Sequence, residues 1–415
     1  MGEINVAIDI KWCKISPDMK HRLLYIFLIF VVLLIGFLLW TSKPHKLSFR
    51  KASFAQLPGW ESSETKKSFL AFQTSCKAFL KQNPNKSVGS EYIDLQVKDW
   101  LPACNAALIV NANSNMATHE FFQKWFTPVE FFENKPIQGL FTGYYMPLLH
   151  GSLTKTDEYD VPLYGIPKKL VTANLEEFDR RLKNRKIMGR VQSNKLMPFY
   201  TREEINRGAI EKFTPVIAWV NSRIDRSFLE IQGSGIIQLK DGSQLVVGYA
   251  GENGAPYTAI AKVLIDQGVM TKDNASMQHI RNYLEAHPDQ LDIVLNKNKS
   301  FVFFEVLRNK AALGTQGVAL TPGYSLAIDR KWVPMGAPVW LNTTRPDHKS
   351  EQHKTFQRLM VAQDTGGAIK GVVRGDVYWG AGERATNIAG KMKNPGYYWL
   401  LLPKHALSRL QDKLL

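Results

Sequence analysis

Residues 367 to 380, GAIKGVVRGDVYWG, set one carboxylate, Asp376, behind a turn that carries Lys370, Arg374 and three of the stretch's four glycines. An acid followed by Val377, Tyr378 and Trp379 is partly stripped of water, and desolvation raises its pKa toward the range where a carboxyl group can donate a proton. Lys370 and Arg374 oppose that rise if they point at the carboxylate. A phosphate cradle does not fit. It needs G-x-x-x-x-G-K-[ST], or G-x-G-x-x-G opening a helix, whereas Lys370 precedes Gly371, no hydroxyl residue follows, and VVRGDVYW reads as a strand. Serine and metal chemistry fare no better: TPGYSLAID has Ala where a hydrolase elbow has its second Gly, IQGSGI lacks the first, and no H-E-x-x-H occurs. His150 and His348 fall near turns, where solvation accounts for them. What remains is carboxylate chemistry among aromatic and amide side chains, as on a sugar-binding surface. On spacing alone, the cap of a hairpin turn is the favoured reading of Asp376.

The elements that must position this acid are mostly strands. FVFFEV, YSLAID, APVWL, RLMVAQDT and GYYWLLLP are short, and Gly and Pro turns separate them, which predicts a small barrel rather than a parallel α/β sheet. In SFLEIQGSGIIQLKDGSQLVVGYA, Lys240, Asp241 and Gly242 predict a hairpin turn between two strands. Helical periodicity appears at residues 63–81, 92–108, 118–126 and 256–267, the last stopped by Gly268, and in SMQHIRNYLEAH, closed by Pro288.

A chain of 415 residues exceeds what one core usually organises, so two folded domains are expected. Its net charge of +16 calls for an anionic partner. Nucleic acid is disfavoured, since no zinc-finger spacing, basic zipper or aromatic RNA-binding signature is present. The run 23–40, LLYIFLIFVVLLIGFLLW, is long enough to cross a bilayer, and Lys11, Lys14, Lys20 and Arg22 before it predict a cytoplasmic N-terminus. No small-x-small cleavage site and no lipid-acceptor Cys follows, which favours an uncleaved anchor; Met19 offers an alternative start. Cys76 and Cys104 then fall in the exported part, on apolar faces of helical segments, and are expected to pair in a disulfide, while Cys13 stays inside. No spacing suggests a metal, and no cofactor is expected.

Six segments in order carry a resemblance: GLFTGYYMP, IQGSGIIQL, VGYAGENGAPY, KSFVFFEV, GVALTPGYSLAIDRKWVPMGAPVWL and RLMVAQDTGGAIKGVVRGDVYWGAGERATNIAGKM. Together they are similar to the membrane-bound lytic murein transglycosylase A family. The resemblance implies a mainly β, α+β fold: a double-psi β-barrel domain with an inserted β-rich domain, preceded here by the membrane helix. Mapped on this chain, it gives an N-terminal segment at 1–22, the anchor at 23–42 and a linker at 43–60. The barrel domain takes 61–145 and 297–415, and the inserted domain 146–296.

The resemblance also implies an activity and a site. The family cleaves the β-1,4 bond between N-acetylmuramic acid and N-acetylglucosamine in peptidoglycan, the muramyl C6 hydroxyl attacking its own C1 to leave a 1,6-anhydro ring. Asp376 matches the catalytic acid. Asp364, in AQDTGG, matches a second aspartate that orients the loop or tunes Asp376, with Lys370 and Arg374 in support. Thr142, Tyr144 and Tyr145, then Gln232, Gly233 and Ser234, then Tyr249, Asn253 and Tyr257 match positions expected near the glycan groove, Gly371 and Gly375 leaving room for turns there. Met146 stands where many relatives have Glu, which argues against carboxylate duty at that position. The implied setting is a Gram-negative envelope, periplasm-facing; without a lipid-acceptor Cys, the inner membrane is expected. Acidic stem peptides of peptidoglycan would suit the basic charge, and no residue identifies a wall-synthesis partner. A non-catalytic peptidoglycan binder and a hydrolytic muramidase stay open as alternatives.

Overall fold

Six strands make the frame on which Asp376 sits: Gly139–Met146 (β1), Ser325–Ile328 (β2), Pro338–Pro346 (β3), His353–Thr365 (β4), Arg374–Ala381 (β5) and Lys393–Pro403 (β6). The computed structural model describes residues 47–414 apart from 183–184, 273, 309–310, 349 and 351. In it, β1 pairs with β5 in parallel, β5 with β2 antiparallel, and β2 with β4 in parallel. From β4 the ladder runs antiparallel through β3 and β6 and returns to β1, so the sheet closes on itself and leaves no open edge within the ring. Phe141, Leu326, Val377, Val339 and Leu400, all buried, supply apolar bulk for this unit. Strand Phe126–Glu133 continues the sheet outward from β6, and Ser48–Lys51 pairs beyond it.

Helices Lys66–Phe79, Leu101–Ala107 and Asn115–Trp125 cover this outer part, with Phe69, Phe72, Phe121, Phe122 and Phe126 interlocked edge to face or tilted. Cys76 and Cys104 are joined by a disulfide that ties the first two helices. Gln363 on β4 reaches into the first helix, donating to the Ala71 carbonyl at 2.9 Å. The helix expected at 92–108 is shorter. Asp99 accepts from the Gln96 amide at 2.8 Å, and Pro102 lies in the first turn, so the helix starts only at Leu101.

A second sheet takes the order Val302–Val306, Gln244–Glu252, Ser234–Leu239, Leu148–Ser152, Val216–Val220, Val161–Tyr164. The turn at 240–242 is a hairpin as read, with Gly242 at φ 85. Two expectations change here. SFLEIQ is the end of helix Arg223–Gln232, not a strand: Ile224 and Phe228, four apart, bury together, and Gly233 ends the helix at φ 77. Val302–Val306 pairs with Gln244–Glu252, so this sheet draws in a strand beyond the boundary expected at residue 296. Helices Ile260–Asp266, Met277–Ala286 and Pro288–Asn296 pack on Phe228. Pro288 opens the last of these instead of only closing its predecessor, because its fixed φ suits a first helical turn. A small third sheet joins Val171–Asn174, Lys186–Gln192 and Lys195–Pro198.

The apolar run at 23–40 and Cys13 lie outside the described residues. Among the described residues, no helix is long and apolar enough to cross a membrane.

Candidate active site

Asp376 and Thr142 face each other across the parallel pair β1–β5. The Thr142 hydroxyl donates to Asp376 Oδ1 at 2.6 Å, and Arg374 Nη2 donates to Thr142 Oγ1 at 2.9 Å. This order is enforced. An arginine can only donate, so the threonine oxygen accepts from it and spends its own proton on the aspartate. Oδ2 is left to carry a proton. Burial pushes the Asp376 carboxyl up to about 6, while the Thr142 bond and then the Arg374 charge pull against it and Asp364 adds to the rise. Arg374 thus opposes the rise in two ways, by its charge and through its bond to Thr142. Lys370 is exposed on the turn.

Asp364, on β4, is bound differently. Oδ2 accepts the Tyr144 hydroxyl at 2.7 Å; Oδ1 accepts the Thr315 amide at 2.9 Å, the Thr315 hydroxyl at 2.8 Å and the Thr365 amide at 2.8 Å. Burial raises this carboxyl, and all four of these bonds lower it again. With its acceptors occupied, Asp364 is suited to holding Tyr144 and the 315 loop in place.

A cleft of about 600 Å³ opens over Asp376. One wall is barrel: Thr142, Gly143, Tyr144, the 389–393 segment, and Pro346, Ser350 and His353. The other comes from helices and their leading turns: Phe228, Ile231, Gln232, Tyr257, residues 259–261, and residues 274–280 apart from Gln278. Gly143 lets the wall close up, since a Cβ there would come within 2.7 Å of Trp379 Nε1. Among the described lining residues, Asp376 is the only carboxylate.

The cleft therefore gathers Asp376, Thr142, Tyr144, Gln232 and Tyr257 from the residues read in the sequence. Tyr145 stands behind it, packed on Ala385 and Ala389, with its amide donating to Gln232 Oε1 at 3.0 Å. The others lie elsewhere. Asn253 is buried and committed to backbone: it donates to the Tyr200 and Lys299 carbonyls and accepts from the Phe301 amide. Ser234 is buried within its strand, and Tyr249 is exposed away from the lining. Gly375 gives no room for a turn at the cleft; its missing Cβ is where Leu326 and Phe141 pack, at 2.9 and 3.0 Å. Met146 is buried in an apolar cluster. Missed by the sequence reading were Ser276, Met277 and His279, read only as a helix start, and Lys391 and Lys393, the first of which is the penultimate residue of the last quoted motif.

A closed barrel, a second sheet and a cleft whose described lining holds one carboxylate are the features to set beside known proteins. The models "MltA specific insert domain" and "3D domain" match residues 140–305 and 324–402. The chain is 36% identical over 265 residues to membrane-bound lytic murein transglycosylase A of Escherichia coli, a match covering 63% of this chain and 65% of that protein. The crystal structure of MltA from Neisseria gonorrhoeae is 30% identical, with 86% of this chain and 93% of that one covered and a TM-score of 0.71. E. coli MltA with bound chitohexaose is 26% identical over 86% of this chain and 94% of that one, with a TM-score of 0.62. The chain belongs to the lytic murein transglycosylase A family.

Proposed function

We propose that this protein is a lytic transglycosylase that cuts peptidoglycan between N-acetylmuramic acid and N-acetylglucosamine without adding water, with Asp376 as both general acid and general base. The observation that carries this reading is the lone carboxylate among the described residues lining the cleft, pushed by burial up to about 6. Protonated Asp376 gives its proton to the glycosidic oxygen as the C1–O bond breaks. The resulting carboxylate then takes the proton of the muramyl C6 hydroxyl as O6 bonds to C1, which regenerates the acid and leaves the 1,6-anhydro ring. A hydroxyl already held on the same sugar needs no second group to deliver it. Hydrolysis would ask for a second carboxylate to activate water. Asp364, with its oxygens engaged by four donors, is poorly placed for that duty. The relatives' names and the chitohexaose bound by one of them support a glycan as the occupant of the cleft.

In the same reading, the barrel is a double-psi barrel, supported by its two parallel pairings, β1–β5 and β2–β4. The 61–145 and 297–415 segments form the catalytic domain around an insert beginning at 146, with Val302–Val306 joining the insert's sheet. Residues 23–42 anchor the protein in the inner membrane with the cleft facing the periplasm. Digestion of purified peptidoglycan followed by mass spectrometry tests the activity. Anhydromuropeptides are expected; reducing-end muropeptides would make it a muramidase, and binding without release a non-catalytic binder.

A further inference from the structure

Three arginines gather beside the β3–β4 ladder. That ladder pairs Leu341 with Arg358, Thr343 with Phe356 and Arg345 with Lys354, and residues opposite one another in an antiparallel pair share a face. The Arg358 guanidinium lies 4.8 Å from the centre of the Phe356 ring and 4.6 Å from that of Tyr324. Arg345 lies 5.8 Å from the centre of the Trp379 ring, which is itself 5.3 Å from Phe356. Arg384, exposed in the first turn of helix Glu383–Ala389, is near enough for its charge to act on both. Arg345 and Arg358 are half-buried, and burial lowers the pKa of each; the charge of Arg384 adds to the fall in both, and that of Arg345 to the fall in Arg358.

No acid in the described structure matches them. Among the described residues none of the three forms an ion pair, whereas Arg50, Arg202, Arg223, Arg281 and Arg409 all do. Asp347, two residues beyond Arg345, is held by Lys354 at 3.0 Å, and Glu64, whose charge reaches Arg358, is exposed. Arg358 donates to the Gly323 carbonyl at 3.2 Å and Arg345 to the Pro346 carbonyl at 3.0 Å, neither of which carries charge. Ring faces attract a cation without neutralising it. Half-buried like charges with no acid between them are costly, and the guanidinium fork is the shape that a carboxylate fits. The cluster also adjoins the cleft. Pro346, next to Arg345, lines the cleft, as do Gly143 and Ala389, against which Trp379 packs.

We propose that these arginines bind a carboxylate of the stem peptide carried by the glycan in the cleft, so that the protein grips its polymer by the peptide as well as by the sugars. This rests on the proposed function, in which the occupant of the cleft is peptidoglycan, and it adds the part of that polymer that charge selects. A free inorganic anion has the same chemistry for the fork, and the test separates the two.

The test uses the full chain in nonionic detergent, carrying Asp376→Asn so that nothing is cut. Calorimetry compares its binding to soluble peptidoglycan oligomers that bear tetrapeptide stems and to the same oligomers stripped of peptide. The peptide-bearing oligomers should bind roughly tenfold more tightly, a preference lost at high salt. Arg384→Glu and, separately, Arg345→Gln should each remove most of it. Arg384 is exposed, and an acid in a first helical turn suits the helix dipole, so Arg384→Glu should keep its unfolding midpoint even if Arg345→Gln does not fold. Equal binding of the two oligomers, or a preference that survives Arg384→Glu, overturns the proposal. So does inorganic phosphate that binds in an Arg384-dependent way while the stem peptide brings no preference, which would mean a free anion. Binding of neither oligomer removes the glycan reading of the cleft and this proposal with it. A preference that holds while the chain with Asp376 intact releases no fragments supports the arginine site and removes only the transglycosylase activity.

Discussion

Glu230 and Asp376 are both held away from bulk water in this fold, and their surroundings differ. Glu230, in the insert, faces two buried arginines: Arg202 donates to both its oxygens at 3.2 and 2.6 Å, and Arg226 lies 3.6 Å away. Arg202 also reaches the Asn298 carbonyl at 2.8 Å, and burial lowers the Arg226 pKa to about 10. Asp376, in the barrel, receives one threonine hydroxyl among the described residues, and its cation is one atom removed. A buried charge surrounded by counter-charge holds segments together. One left under-compensated keeps a raised pKa and a free oxygen, which is what proton transfer requires.

The widest gap between the two should appear in turnover. Asp376→Asn is expected to lower fragment release by about 10²–10⁴-fold, the usual contribution of a general acid, while binding to peptidoglycan persists. Residual release near the wild-type rate would remove Asp376 from the chemistry. Glu230→Gln should instead act on stability, lowering it by about 3–5 kcal/mol in denaturant unfolding by stranding two buried cations, with turnover per folded molecule unchanged.

A third comparison uses pH. The folded pKa of Asp376, about 6, lies above its ordinary value of 3.8. The stability associated with its protonated form is therefore present below pH 4 and lost as pH rises through 6. Asp376→Asn should accordingly match wild type near pH 4 and exceed it at pH 8 by up to about 3 kcal/mol in thermal or denaturant unfolding, at 1.36 kcal/mol per pKa unit. A gain that does not change with pH would contradict the raised pKa.

The smallest effect belongs to Thr142→Val. Since the reaction starts from the protonated acid, kcat/KM should fall as pH rises through about 6. Removing the hydroxyl removes the bond that most lowers the Asp376 pKa, so that fall should move to higher pH, with a loss of roughly tenfold or less in rate from poorer orientation of the acid. A limb that stays in place would show that Thr142 does not reach Asp376 in solution.

Much of the barrel was legible in the sequence because its strands are short, apolar-rich runs between glycine and proline turns. RLMVAQDT and GYYWLLLP fall within observed strands, and YSLAID and APVWL run past theirs by no more than one residue at an end. SFLEIQ was misread because a short apolar run does not distinguish strand from helix, and the deciding signals, Ser222 capping the Asp225 amide and Gly233 closing the last turn, lie at its flanks. The acid could be found from its apolar neighbours and motif. Its partner could not be derived from local pattern, since Thr142 and Asp376 are 234 residues apart and meet only through strand pairing. Asn253 shows the opposite failure. An amide beside glycines suggests sugar binding, yet here its hydrogen-bonding groups are used on backbone.

Closure of the barrel through β6 has a consequence for when the protein can act. During synthesis Thr142 and Tyr144 appear first, the whole insert is made before Asp376, and the strand that completes the ring, Lys393–Pro403, comes later still. A chain stalled or clipped before that strand holds the acid without the wall that desolvates and orients it. Under the proposed function, cutting of peptidoglycan would thus wait until nearly the full length has been made and folded.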